Sequence, residues 1–111
     1  MNIRYLLIAF PLLLTLSACF ETSRQAPANI ADKYRGKVVL YATSWCGYCE
    51  KTRDLFEQRN IQYIELDIES SLEGKTEFDQ LGAKGIPLVL IKGRVVEGYA
   101  PNAVLNLYHE K

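Results

Sequence analysis

Hydrophobic and polar positions change rhythm several times along this chain. Residues 5–20 carry no charged side chain, and the stretch "YLLIAFPLLLTL" opens them as a 12-residue apolar run. A bilayer-spanning helix takes ~20 apolar residues, so this run is too short, and Pro11 interrupts it. With Arg4 before it and small residues after it, residues 1–18 have the layout of an export signal. Residues 20–36, "FETSRQAPANIADKYRG", are polar, contain Pro27 and follow no clear period. They read as a flexible tether beyond residue 19, with a short helical turn around Ile30 to Tyr34. Fully extended, such a tether would reach ~50 Å.

Residues 37–111 then alternate between two periods. "VVLYA", Val38–Ala42, is a short continuous apolar run, the mark of a strand covered on both faces. Over 46–59 the spacing becomes helical: Cys49, Thr52, Leu55, Phe56 and Arg59 form one stripe, with Glu50, Lys51, Asp54 and Glu57 around it. "IQYIELDI", 61–68, alternates as a second strand, with Ile64 and Leu66 predicted to face the core. Ser70 or Ser71 can cap a helix over 72–81 that Gly82 ends. Gly74 weakens that helix by ~1 kcal/mol relative to Ala. "PLVLI" is a third strand, Lys92-Gly93 a turn and "RVVE" a fourth, and Pro101 opens a last helix over 102–108. The order βαβαββα predicts a single α/β domain with a four-stranded mixed sheet flanked by helices.

Charge excludes one class of function. The 13 basic and 13 acidic residues are interleaved, so no basic face offers itself to nucleic acid. Without residues 1–18 the chain has 12 basic and 13 acidic residues. It therefore has no net attraction to anionic lipid.

The chemistry concentrates in "WCGYC". Cys46 falls where the first strand gives way to a helix, and Cys49 lies one turn further in. The first amides of a helix lack internal partners and carry about +0.5 charge between them, which favours a thiolate at Cys46. Cys46 would then attack a disulfide and Cys49 would resolve the mixed disulfide, with Cys49 the more buried. Other uses of the pair fare worse. A zinc site wants four ligands, and the domain adds only His109 to the two thiols. A disulfide staple across three residues gains little chain entropy. A second feature is "KGIPLVL": Ile86-Pro87 heads a strand and can be cis or trans. In the cis form the Ile86 backbone would offer an edge to an extended substrate.

Taken together, "WCGYC", "GIP" and the element order resemble the thioredoxin superfamily, and in length and layout a glutaredoxin. The resemblance implies a thioredoxin-like domain that acts as a thiol–disulfide oxidoreductase without a bound cofactor. By it Cys46 is the nucleophile, Cys49 the resolving thiol and Pro87 a cis-proline, with Trp45, Tyr48, Ile86 and Pro87 contacting substrate. Glutaredoxins usually carry Gly-Gly after the hairpin and then an acid that grips glutathione. Here "EGYAPN" puts Glu97 at the first Gly and Ala100-Pro101 where the acid is expected, so Glu97 would repel an anionic tripeptide. "GYAPNAVLNL" instead resembles the tail of the glutaredoxin-like hydrogen donor of ribonucleotide reductase. Leu40 stands where thioredoxins keep a buried Asp.

At the other end, "LSAC", 16–19, resembles the lipobox of bacterial lipoproteins, which implies that Cys19 becomes a lipidated N-terminus. Several acyl chains on one residue anchor a protein stably. The chain is thus expected to be a monomer held at the periplasmic face of a bacterial membrane; Phe20 after the Cys points to the outer one. Its partners would be disulfide-bearing exported proteins and a membrane or protein electron donor. The reductase or isomerase direction is favoured over net oxidation. An iron–sulfur or metal-binding glutaredoxin-like module is the alternative class.

Overall fold

The computed structural model describes residues 23–111; the expected signal segment and Cys19 lie outside the described residues. In chain order the elements are β1 (Ser23–Gln25), α1 (Ala28–Lys33), β2 (Val38–Ala42), α2 (Gly47–Gln58), β3 (Ile64–Asp67), α3 (Leu72–Gln80), β4 (Leu88–Ile91), β5 (Arg94–Glu97) and α4 (Pro101–His109). The strands form one sheet in the order β1-β5-β4-β2-β3. Only β2 and β3 run parallel; β1–β5, β5–β4 and β4–β2 are antiparallel.

The apolar run of β2 is buried at all five positions because both faces of the sheet are covered. Val38, Leu40 and Ala42 join Cys49 and Phe56 of α2, Val89 and Ile91 of β4, and Val104 and Leu107 of α4. Val39 and Tyr41 point the other way, into a cluster with Ile30, Tyr34, Phe78, Leu81, Leu88 and Leu90. The β4–β5 turn bends through Lys92 and Gly93, both with positive φ (51° and 73°), the backbone of a tight two-residue hairpin.

The sheet has five strands, not four. Ser23–Gln25 of the expected tether pairs with β5, Ser23 opposite Val96 and Gln25 opposite Arg94. This covers an edge that would otherwise leave unpaired backbone groups. Ala26, Ile30 and Tyr34 are buried behind it, so the folded domain begins by Ser23 and not at residue 37. The helical turn expected around Ile30 to Tyr34 is α1, whereas a three-residue strand is too short to print a period and Ser23–Gln25 reads as irregular.

Two further expectations are corrected. Ile64 is 39% exposed: it shares a face with Leu66, but β3 is the outer strand, and only Leu66 and Ile68 reach the core cluster. Arg59 is exposed at the C-cap of α2, past the last buried turn. Helix α3 is capped by Ser71, whose Oγ accepts the Gly74 N–H at 2.9 Å. Gly74 is there for space, since a Cβ at that point would sit 3.1 Å from Leu66 Cβ and 3.2 Å from the Asp67 carbonyl. The propensity lost in α3 is the condition for its close approach to β3.

Under α3 lies a polar cluster that periodicity does not reveal. Glu77 is buried, and its carboxyl accepts from Tyr34 Oη at 2.8 Å and Tyr41 Oη at 2.9 Å. Lys33 of α1 pairs with both Glu77 and Glu73. Burial, and then donation to Glu77, push both phenols up, Tyr34 to about 12, so they remain donors.

Candidate active site at the start of the second helix

Cys46 is the N-cap of α2, with extended backbone (φ −82°, ψ 115°). The capping atom is sulfur: Cys46 Sγ accepts the Cys49 backbone N–H at 3.2 Å. An N-cap acceptor satisfies an amide the helix cannot. Both thiols are free; Cys46 is half-buried and Cys49 buried. Cys49 sits inside the apolar cluster of Leu40, Phe56 and Val89. Burial, then the hydrogen bond with Cys46, push its thiol up to about 11. One sulfur is therefore offered to solvent at a helix end, and the other is kept protonated beneath it.

Residues far apart in sequence fix that junction. Arg53 of α2 grips Glu65 of β3 through two donors, at 2.7 and 2.9 Å, and donates to the Thr43 carbonyl at 3.0 Å. This paired geometry fastens α2 to the end of β2 and to β3. Sequence reading passed over Arg53 and Glu65.

The predicted substrate residues divide. Trp45 is 70% exposed beside Cys46, its indole N–H donating to Glu69 at 2.7 Å. Tyr48, 59% exposed, stacks on Tyr99 with ring centroids 6.0 Å apart. The Lys51 ammonium lies over both rings, at 5.2 and 5.9 Å, a cation–π arrangement. Trp45, Cys46, Gly47, Tyr48 and Lys51 line an open groove of about 410 Å³. Tyr99, which completes the aromatic rim, had no signal beyond its place in "GYAPN". The Ile86–Pro87 bond is cis. Ile86 and Cys46 both pack on the apolar cluster that contains Cys49, whereas Pro87 is buried.

Glu97 lies exposed at the end of β5, and its carboxylate is held in place by partners. Its Oε1 accepts the backbone N–H groups of Lys84 at 2.6 Å and Gly85 at 3.0 Å. Arg24 Nη1 lies 3.7 Å from its other oxygen. Burial opposes ionisation, but those two amides and Arg24 outweigh it and hold the carboxyl below its ordinary value. His109 is exposed at the end of α4, and no group of three or more His, Cys, Asp or Glu among the described residues could hold a metal.

Known proteins carry the same plan. The glutaredoxin family model matches residues 38–96. An uncharacterised glutaredoxin-like 8.6 kDa protein from the rubredoxin operon of Clostridium pasteurianum is 24% identical over 63 residues, covering 56% of this chain and 84% of its own. Among solved structures, the glutaredoxin of Archaeoglobus fulgidus superposes with a TM-score of 0.58 at 20% identity, over 67% of this chain and 87% of its own. NrdH-redoxin of Escherichia coli, a glutaredoxin-like protein with a thioredoxin-like activity profile, superposes with a TM-score of 0.61 at 17% identity, over 68% and 99%. The match spans β2 to β5 and includes both cysteines, so the chain belongs to the glutaredoxin family and is a thiol–disulfide oxidoreductase.

Proposed function

We propose that the chain is a membrane-tethered oxidoreductase that reduces or isomerises disulfides of exported polypeptides. The observation that carries the chemistry is the asymmetry of the two thiols: Cys46 half-exposed at the N-terminus of α2, Cys49 buried and held protonated. Cys46 thiolate attacks one sulfur of the substrate disulfide; a Cys46–substrate bond forms and the other substrate sulfur leaves as thiolate. Cys49 then loses its proton and attacks Cys46 Sγ. The second substrate thiolate departs, and Cys46–Cys49 becomes the disulfide. Two electrons pass to the substrate, and a donor dithiol must return them, since exported compartments are oxidising.

A polypeptide substrate is supported by the exposed aromatic rim of Trp45, Tyr48 and Tyr99, which suits side chains flanking a cystine. The Ile86 backbone beside the cis bond suits main-chain pairing. The anchor is assigned to Cys19. Only residues 20–22 separate it from β1, so the extended reach is ~14 Å, not the ~50 Å of an unfolded tether. No helix among the described residues is long and apolar enough to cross a membrane.

The test is made in cells. The chain is expected in the membrane fraction with its dithiol mostly reduced after acid quench and alkylation. Cys19→Ser is expected to release it to the soluble fraction. Membrane association that survives Cys19→Ser would overturn the lipid anchor, and a mostly oxidised pair would overturn the reducing direction.

A further inference from the structure

Residues 82–87, between α3 and β4, have no regular secondary structure, yet they carry Ile86 and the cis bond to Pro87. No sheet ladder holds such a segment, so its bonds must come from elsewhere. They come from the end of the neighbouring strand, β5. Lys84 and Gly85, adjacent amides, converge on one oxygen of Glu97, at 2.6 and 3.0 Å. The next residue along, Gly98, donates its N–H to the Pro87 carbonyl at 2.8 Å. Charge-assisted bonds of this kind are about twice as strong as neutral ones.

Arg24 closes the arrangement. Pairing of β1 with β5 sets Arg24 opposite Val95, two residues from Glu97. Its Nη2 donates to the Leu81 carbonyl at 2.8 Å, where α3 ends, and its Nη1 lies 3.7 Å from Glu97 Oε2. One guanidinium thus bridges the start of the loop and the carboxylate that holds its middle. Glu97 stays charged because the amides and the cation outweigh its burial.

We propose that Glu97, braced by Arg24 from the N-terminal strand, is a positioning residue that sets the Lys84–Gly85–Ile86 backbone for the substrate chain. The role rests on the reading that a polypeptide is taken up along Ile86. Glu97 acts from behind the loop and touches no reacting atom. The N-terminal strand is thereby part of the working site and not an ornament on the tether.

The test uses the full chain and a synthetic disulfide-bonded peptide. Glu97→Ala is expected to raise KM about tenfold with kcat changed less than threefold, the scale of one lost charge-assisted contact. Arg24→Ala, at a half-exposed side chain, should raise KM about threefold, and Arg24→Lys should recover most of that loss. Amide exchange at Lys84 and Gly85 should quicken in Glu97→Ala. Native KM in both alanine variants, or a fall in kcat alone, would overturn the proposal. If Glu97→Ala does not fold, the Arg24 variants carry the test. A native chain that leaves the peptide untouched would overturn the polypeptide reading. Amide exchange needs no substrate: unchanged protection of Lys84 and Gly85 in Glu97→Ala or Arg24→Ala would overturn the positioning role, and lost protection would uphold it.

Discussion

Cys46→Ser is expected to bring disulfide exchange down to the uncatalysed background, and Cys49→Ser to leave the first attack intact but trap mixed disulfides with substrate. The reason is where each sulfur sits. Cys46 Sγ faces the groove and accepts the Cys49 amide; serine at that point would cap the helix equally well but is not a nucleophile near neutral pH. Cys49 is buried and reaches only the Cys46 sulfur once that sulfur is bonded. Non-reducing gels of the two variants after incubation with a disulfide-bonded protein check this. Equal residual activity in both would contradict the division of roles. The buried thiol also sets a pH dependence. Its folded value is about 11 against an ordinary 9.0. In the mixed disulfide Cys46 no longer carries charge, yet burial, the larger cause, persists. Below that value each pH unit raises the thiolate fraction about tenfold, so the resolving step should quicken from pH 7 towards pH 10. Stability of the reduced form runs the other way. A raised folded value means that the unfolded state releases its proton first. The stability contributed by a neutral Cys49 is complete below pH 9.0 and is lost as pH rises through about 11. Thermal midpoints of the reduced chain between pH 8 and 11 measure this.

Glu77→Ala is expected to be the costliest single change away from the thiols. It removes the acceptor from two tyrosine hydroxyls, one on a fully buried ring, and a partner from Lys33. Each buried donor left unpaired costs ~1–3 kcal/mol, so the variant should lose about 2–5 kcal/mol. Small domains have only ~5–15 kcal/mol in all. At roughly 4–8 °C per kcal/mol, the midpoint should fall by about 8–40 °C. A control separates hydrogen bonding from packing. Tyr34→Phe, Tyr41→Phe and Glu77→Leu combined remove the cluster's two donors together with their acceptor, and Lys33 can turn to water. The triple variant should recover more than half of the loss. A Glu77→Ala midpoint within a few degrees of native would mean that the cluster contributes nothing to stability.

The elements that local pattern could specify were legible. Five consecutive apolar residues gave β2, a three- and four-residue stripe gave α2, Pro101 opened α4 and Lys92-Gly93 turned the hairpin. The dithiol was equally plain, because its chemistry needs only two cysteines at the first turn of a helix after a strand. The failures share one cause. Ile64 alternates correctly yet is exposed, since alternation chooses a face but not whether a helix covers it. Ser23–Gln25 seemed part of a tether because a strand of three residues carries no period, and the helical turn expected around Ile30 to Tyr34 gave no sign that it packs on the sheet. The partners of Glu97 went unread because Lys84, Gly85 and Arg24 lie 12 or more positions away.

Bonds that close within one turn or one strand pair are written in neighbouring residues, and the thiol pair at the head of α2 belongs to that kind. The sheet's fifth strand, the Arg53–Glu65 and Trp45–Glu69 contacts, the Tyr48–Tyr99 rim and the Arg24–Glu97 brace join residues 12 to 73 positions apart. No periodicity specifies such partners, because they meet only after strands have chosen their neighbours and helices their faces. Local sequence thus decided which sulfur chemistry the chain can perform, and the packed sheet decided what surrounds it.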